Sequence, residues 1–192
     1  MKRARYAVLL IAVIAVGGLW YLISRGFSAR TPPSSAEAFV ARHLRRLAVP
    51  RGVKDLKNPV ALTPEVLHEG MEHFADHCAF CHGVDGSGQT QVGRGLYPPT
   101  PDMRIAATQQ MSDGEIYTVI RNGVRFTGMP AFGQDSDEPD LDSWKLVLFI
   151  RHLPEMKPEE IEHMESMLPK SPMELQQQEE IQKFLSGEDK PH

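Results

Sequence analysis

The stretch HCAFCHG, His77 to Gly83, contains both cysteines of a 192-residue chain. Cys78 and Cys81 stand three residues apart, and His82 follows the second directly. A disulfide framework would need more cysteines in a shorter chain. A disulfide across two intervening residues would also be strained. The pair therefore reads as a chemical site. PEVLHEGMEHFADHC, just before it, reads as a helix ending near Cys78, with Thr63 as N-cap and Pro64 at the first helical position. Val66, Gly70, Phe74 and His77 share a face of that helix at spacings of three and four. From Gly83 to Thr108 the chain is loop-like, punctuated by Gly83, Gly86, Gly88, Gly93, Gly95, Pro98, Pro99 and Pro101. A loop of that length usually has a job, or a scaffold other than backbone pairing.

Cys78-Ala79-Phe80-Cys81-His82 is C-x-x-C-H, the attachment signature for c-type haem. The two thiols add to the two porphyrin vinyl groups and become thioethers. The adjacent histidine then supplies the proximal nitrogen ligand to iron. Other chemistries fit less well. A thioredoxin-like redox pair needs a βαβ context, which is missing. A zinc site recruiting Cys78, Cys81, His82 and His73 or His77 would want a second ligand pair, and no C-x-x-C or H-x-x-x-H follows residue 82. The sixth iron position calls for another side chain. There are nine methionines, so type alone decides nothing. Met129 stands out in FTGMPAFG, where Gly128 lets the backbone come close and Pro130 stiffens the chain. Met103 and Met111 are rivals. A histidine/methionine pair raises the potential and closes the iron to small ligands.

Further out, Ser112 and Glu115 form a capping box that opens DGEIYTVIRNG, with Gly123 in the stopping position. LDSWKLVLFIRHL is the last clear core helix, lined by Leu141, Trp144 and Leu148 and ended by Pro154. Pro158 to Met167 predicts a polar, acidic helix. Ser171, Pro172 and Glu174 open a last one that Gly187 closes. No repeat or strand pattern is visible.

At the N-terminus, Lys2, Arg3 and Arg5 precede an uncharged run from Tyr6 to Ile23. As a helix it would span about 27 Å, close to the hydrocarbon thickness of a bilayer. Trp20 and Tyr21 sit where an aromatic belt would lie. The leading basic residues favour a cytoplasmic N-terminus, although Arg25 and Arg30 weaken the bias. No clean small-x-small cleavage site follows, because Phe27 stands two residues before Ala29, so an uncleaved anchor is expected over a signal peptide. ARTPPSS is a linker, and Ser34 with Glu37 then caps SSAEAFVARHLRRLAV. In that segment Val40, Leu44 and Leu47 oppose Arg42, Arg45 and Arg46, a pattern that suits either the membrane surface or the domain. VPRGVKDLKNPVALT reads as extended linker. Residues 30–57 carry a balance of +5 and residues 58–192 a balance of −13. The acidic part argues against nucleic acid and suits a basic protein surface or simple solubility.

These motifs together resemble the class I monohaem cytochrome c family. The resemblance spans about residues 62 to 154 and rests on GMEHFADHCAFCHG, YPPTPDM, IYTVIRNGVRFTGMPAFG and WKLVLFIRHLP. It implies an all-α fold around one covalently bound haem c. Gly70 and Phe74 would meet the C-terminal helix at a close crossing, with Trp144 and Leu148 as partners. A proline carbonyl, of Pro98 or Pro99, would accept the N–H of His82. Arg94, Tyr97 and Arg104 would reach the haem propionates. The chain then divides into an anchor (1–28), a linker with a basic amphipathic helix (29–61), the cytochrome domain (62–154) and a helical extension (155–192), for which the resemblance supplies no role.

The expected function is electron transfer by a single-pass protein of a bacterial inner membrane, with its haem domain on the periplasmic or extracytoplasmic side. A quinol-oxidising complex or dehydrogenase would donate, and a terminal oxidase or reductase would accept. A fixed subunit of a larger oxidoreductase would use the same haem chemistry. A haem without Met129 as ligand would instead suit a gas sensor or peroxidase. That enzyme wants a distal acid/base group, and the sequence near Met129 offers only Arg121 and Arg125.

Overall fold

The computed structural model describes residues 2–24, 26, 28–50, 52–133, 139–170 and 172–186. The expected caps Ser171 and Gly187, and the residues Arg25, Phe27 and Arg51, lie outside them. Among the described residues the chain is helical and has no strand. The helices are α1 (Lys2–Ser24), α2 (Ser35–Ala48), α3 (Pro64–His77), α4 (Ala79–His82), α5 (Gln91–Gly95), α6 (Ala106–Gln109), α7 (Asp113–Asn122), α8 (Leu141–His152), α9 (Pro158–Met167) and α10 (Pro172–Ser186). Within α1, Arg5–Ser24 is long and apolar enough to cross a bilayer, and none of it is buried.

Local chemistry sets several helix ends. The Thr63 hydroxyl accepts the Val66 N–H at 3.2 Å and Pro64 opens α3. Ser112 and Glu115 close a reciprocal box at the start of α7, and Ser34 and Glu37 do the same for α2. Each box satisfies donors that the first helical turn leaves without partners.

The core forms where α3 crosses α8, with α7 on the other flank of α8. Gly70 makes the crossing close. A Cβ placed there would lie 2.9 Å from the Lys145 carbonyl oxygen and 3.1 Å from Phe149 Cβ. One turn on, the Phe74 and Phe149 rings meet at 5.0 Å, tilted by 60°, and both residues are fully buried. Trp144 and Leu148 were expected opposite Gly70 and Phe74; the contacts seen at this crossing are those of the Lys145 backbone and Phe149. Trp144 faces away and stacks on Tyr117 of α7, with centroids 4.1 Å apart and planes 10° from parallel. Leu148 is only half-buried, and Leu141 is exposed. Because α8 contacts both α3 and α7, it buries Leu146, Val147, Phe149 and Ile150 as well as Trp144, and no single stripe describes it. The buried face of α3 is likewise rotated from expectation. It consists of Gly70, Met71, Phe74 and Ala75, while His77 is exposed.

Two flanking segments join this core. The stretch read as extended linker contains a 3-10 turn, Val53–Asp55, that lies against α7. Gly114 leaves room there for the Val53 carbonyl, Asn58 Nδ2 donates to the Trp144 carbonyl at 3.0 Å, and Val60 packs against the core. Beyond the proline that ends α8, α9 folds back onto α3. Met164 is fully buried there, so the extension contributes to the core and does more than lie on the surface. His152 Nε2 and Glu160 Oε1, 2.8 Å apart, pin the return, and Glu160 Oε2 accepts the Lys157 N–H at 2.8 Å. That backbone N–H, reinforced by His152, holds the Glu160 carboxyl below the usual carboxylate range.

Two substitutions test this packing in the full chain in detergent. Gly70→Val should destabilise the domain by about 1–3 kcal/mol through overpacking, read as an earlier denaturant midpoint. Met164→Ala should cost about 2–5 kcal/mol if α9 belongs to the core. An unchanged midpoint in the second variant would make α9 an appendage.

Candidate haem-binding site

The Cys78–His82 turn grows directly out of α3. Cys78 caps that helix, donating its N–H to the Phe74 carbonyl at 2.9 Å. The Cys78 carbonyl then accepts the N–H of Cys81 at 3.1 Å and of His82 at 2.9 Å. One turn of helix thus brings the two cysteines and the histidine together, and Gly83, at φ 75°, ends it. Both thiols are free.

A scaffold of loops holds the turn from outside. Gly88 N–H donates to the His82 carbonyl at 2.7 Å, and Thr90 Oγ1 donates to the Cys81 carbonyl at 3.0 Å. Gly93, in α5, has no room for a side chain against that same Cys81 carbonyl. Gly88, at φ 71°, packs its Cα against the Thr100 and Pro101 carbonyls, so a Cβ would come within 2.5 Å of the first. Met103 N–H closes the layer on the Gly86 carbonyl at 2.9 Å. Arg104 fastens it further, with a two-pronged contact to Asp102 and a bond from Nη1 to Asp85 Oδ2, each 2.9 Å. The guanidinium keeps the Asp102 carboxyl below its usual range.

His82 lies inside this scaffold. Its Nδ1 is buried and has no hydrogen-bond partner. Burial pushes the ring pKa down to about 4, while the Pro101 backbone acts in the opposite sense. Burial, with Cys81 beside it, pushes the Cys78 thiol up to about 12. Buried polar atoms in native proteins nearly always find a partner, so an imidazole nitrogen left without one marks a place for something else. Two free thiols and that imidazole on one turn match the donor set of a covalently held haem. The residues present fit the group.

The loop after α7 closes toward this turn. Phe132 N–H donates to the Ile120 carbonyl at 3.1 Å and Gly133 N–H to the Arg121 carbonyl at 3.0 Å, folding the loop back along α7. Phe132 then meets His77 edge-on at 6.3 Å. Gly128 accommodates Leu96, whose Cδ2 would lie 2.7 Å from an added Cβ. Met129 is half-buried between these contacts, and its N–H donates to Thr127 Oγ1 at 3.2 Å. The rivals are placed differently: Met103 is in the buried core and Met111 packs against it.

The remaining expected pocket residues are engaged elsewhere. Arg94 Nη1 donates to the Gln89 carbonyl at 2.9 Å, and Tyr97 Oη donates to Glu37 Oε1 of α2 at 3.0 Å. Pro98 and Pro99 are exposed, the first after a cis peptide bond with Tyr97. The backbone of Pro101, the third proline of PPTP, bears on His82. Leu96, Phe132 and Pro101 went unread in the sequence. Only Pro101 carried a signal, as a proline in the same run.

The helical fold and this turn agree with a c-type cytochrome domain. Residues 65–150, just under half of the chain, match the family model described as cytochrome c oxidase, cbb3-type, subunit III. A search of the curated proteins finds no match to the chain. The match carries a haem c cofactor and haem-based electron transfer with it, and the helical architecture agrees. The apolar α1 is compatible with a membrane anchor.

Thiol chemistry offers a check on haem-free protein. Thiolate is the reacting form, so a raised pKa slows attack. Cys78 should therefore alkylate with iodoacetamide at pH 8 far more slowly than a free cysteine, measured by peptide mass spectrometry. A rate equal to that of free cysteine would show that Cys78 is not buried.

Proposed function

We propose that this chain is a membrane-tethered c-type cytochrome that passes single electrons between respiratory redox partners. One observation carries the reading: a single helical turn bears two free thiols and the buried imidazole of His82. Bound haem would supply a one-electron couple. Cys78 and Cys81 would hold the ring through thioethers, so the cofactor could not be lost outside the cytoplasm. His82 would give one ring nitrogen to iron, and the Pro101 carbonyl is the backbone acceptor at hand for the other. A proximal histidine fixed in this way keeps its tautomer and gains basicity. Met129 would supply the second protein ligand to iron through its thioether. Its favour over Met103 and Met111 rests on the burial of those two in and against the core. With His82 and Met129 both holding iron, the site would exchange electrons with little rearrangement and exclude small ligands.

The anchor would place the haem domain on the extracytoplasmic face of the inner membrane. Its effective concentration near membrane-bound donors and acceptors would rise accordingly. A quinol-oxidising complex or dehydrogenase suits the donor side, and a terminal oxidase or reductase the acceptor side. A second reading, a fixed subunit of a larger oxidoreductase, is favoured by the oxidase-subunit description of the matching family model. Co-purification of a stoichiometric partner in mild detergent would select it.

Optical spectra of the haem-loaded full chain test the ligand set. The wild type should show a methionine–iron charge-transfer band in the ferric form and no shift with carbon monoxide. Met129→Ala should lose the band, bind carbon monoxide and titrate at a lower potential. A wild type that binds carbon monoxide rapidly would replace the carrier with a sensor or peroxidase.

A further inference from the structure

We propose that α2 lies on the surface of an anionic bilayer, with its Val40–Leu44–Leu47 side in the acyl boundary, and that it thereby holds the haem domain against the membrane. The proposal rests on the reading of α1 as a membrane span. Phe39, Val40, Leu44 and Leu47 are all more than half exposed, and Leu47 reaches 81%. A helix with so much free apolar surface, in a stretch of sequence with net positive charge, is the kind that settles at a headgroup boundary. The chain leaves little choice of place. α1 ends at Ser24 and α2 begins at Ser35. So short a link reaches at most roughly 35 Å, which keeps α2 beside the point where α1 would leave the bilayer.

Charge selects the occupant. Residues 30–57 carry +5 and residues 58–192 carry −13. Anionic headgroups attract the first and repel the second, with a range set by the Debye length. Left to itself, the acidic domain would stand off from such a surface. One contact ties it to α2, the bond from Tyr97 Oη to Glu37 Oε1 at 3.0 Å. Tyr97 follows Leu96, which packs on Gly128 beside Met129. The Tyr97–Glu37 bond joins the helix to the loop that borders the proposed haem site.

The test uses the full chain in vesicles of phosphatidylcholine, with or without phosphatidylglycerol, and with acyl-brominated lipid as a quencher. Trp20 in the wild type reports α1. Leu44→Trp in a Trp20→Phe background reports α2, with Trp20→Phe alone as the blank for buried Trp144. The Leu44→Trp indole should lose most of its emission to brominated lipid and be shielded from iodide. Phosphatidylglycerol should strengthen both effects, and high salt should weaken them. Quenching by iodide alone would place α2 in water and overturn the proposal. Shielding from both quenchers would mean that protein covers the apolar side, which also overturns it. Equal behaviour in the two lipid mixtures would remove the role of anionic headgroups. A Trp20 that brominated lipid leaves bright would instead overturn the anchor, and with it this proposal.

Discussion

The close approach of α3 and α8 at Gly70 is the constraint on which the rest of the domain depends. With a glycine facing the Lys145 carbonyl, the two backbones come close enough for Phe74 and Phe149 to interlock one turn further on. Phe74 stands four residues before Cys78 and accepts its N–H. The crossing therefore fixes the end of α3, and the end of α3 fixes the turn that carries both cysteines and His82. α8 is in turn held to α7 by the Trp144–Tyr117 stack, and α7 leads into the loop that presents Met129. Both sides of the proposed haem site trace back to one helix crossing.

Between those sides the chain runs from Gly83 to Thr108 with little regular structure, yet it is not loose. Its backbone groups find partners in the turn itself, and its glycines let carbonyls of separate segments approach within contact distance. Gln109 ties this layer to the helical core by donating to both the Met103 and the Ile150 carbonyls. Arg151 performs a similar service for the α6–α7 corner, reaching the Gln109 and Met111 carbonyls and the Asp113 carboxylate. A loop scaffold suits a cofactor domain, because a flat prosthetic group needs walls of backbone and small residues where a helix bundle would offer only side chains.

What was legible in the sequence was local. The caps at Thr63, Ser112 and Ser34 involve residues three apart, and all three form as the spacing requires. C-x-x-C-H is local too, since five consecutive residues carry the chemistry. What escaped was pairing across the chain. α8 is apolar on several sides, so periodicity could not say that Phe149 meets Phe74 of α3. Met164 sits in a helix of glutamates, and nothing in PEEIEHMESM marks it for the core until α9 is seen to fold back. The seating of the Gly88 Cα against the Thr100 and Pro101 carbonyls was likewise invisible to spacing rules.

The packing of residues 53–60 changes what the tether can do. Read as free linker from Ala29 to Asn58, the chain would let the haem domain swing widely. With the Val53–Asp55 turn on α7 and Asn58 bonded to the Trp144 carbonyl, the second half of that tether belongs to the domain. α2 takes up most of what is left as a rod of about 21 Å. Only short stretches on either side of α2 can then act as hinges. If α1 is the proposed anchor, a shorter, hinged tether would confine the domain to a thin layer above the membrane and raise its effective concentration toward partners seated there. It also restricts which face the domain can present. A carrier built in the proposed way would trade range for orientation, which would suit exchange with neighbours in the same membrane better than diffusion across a compartment.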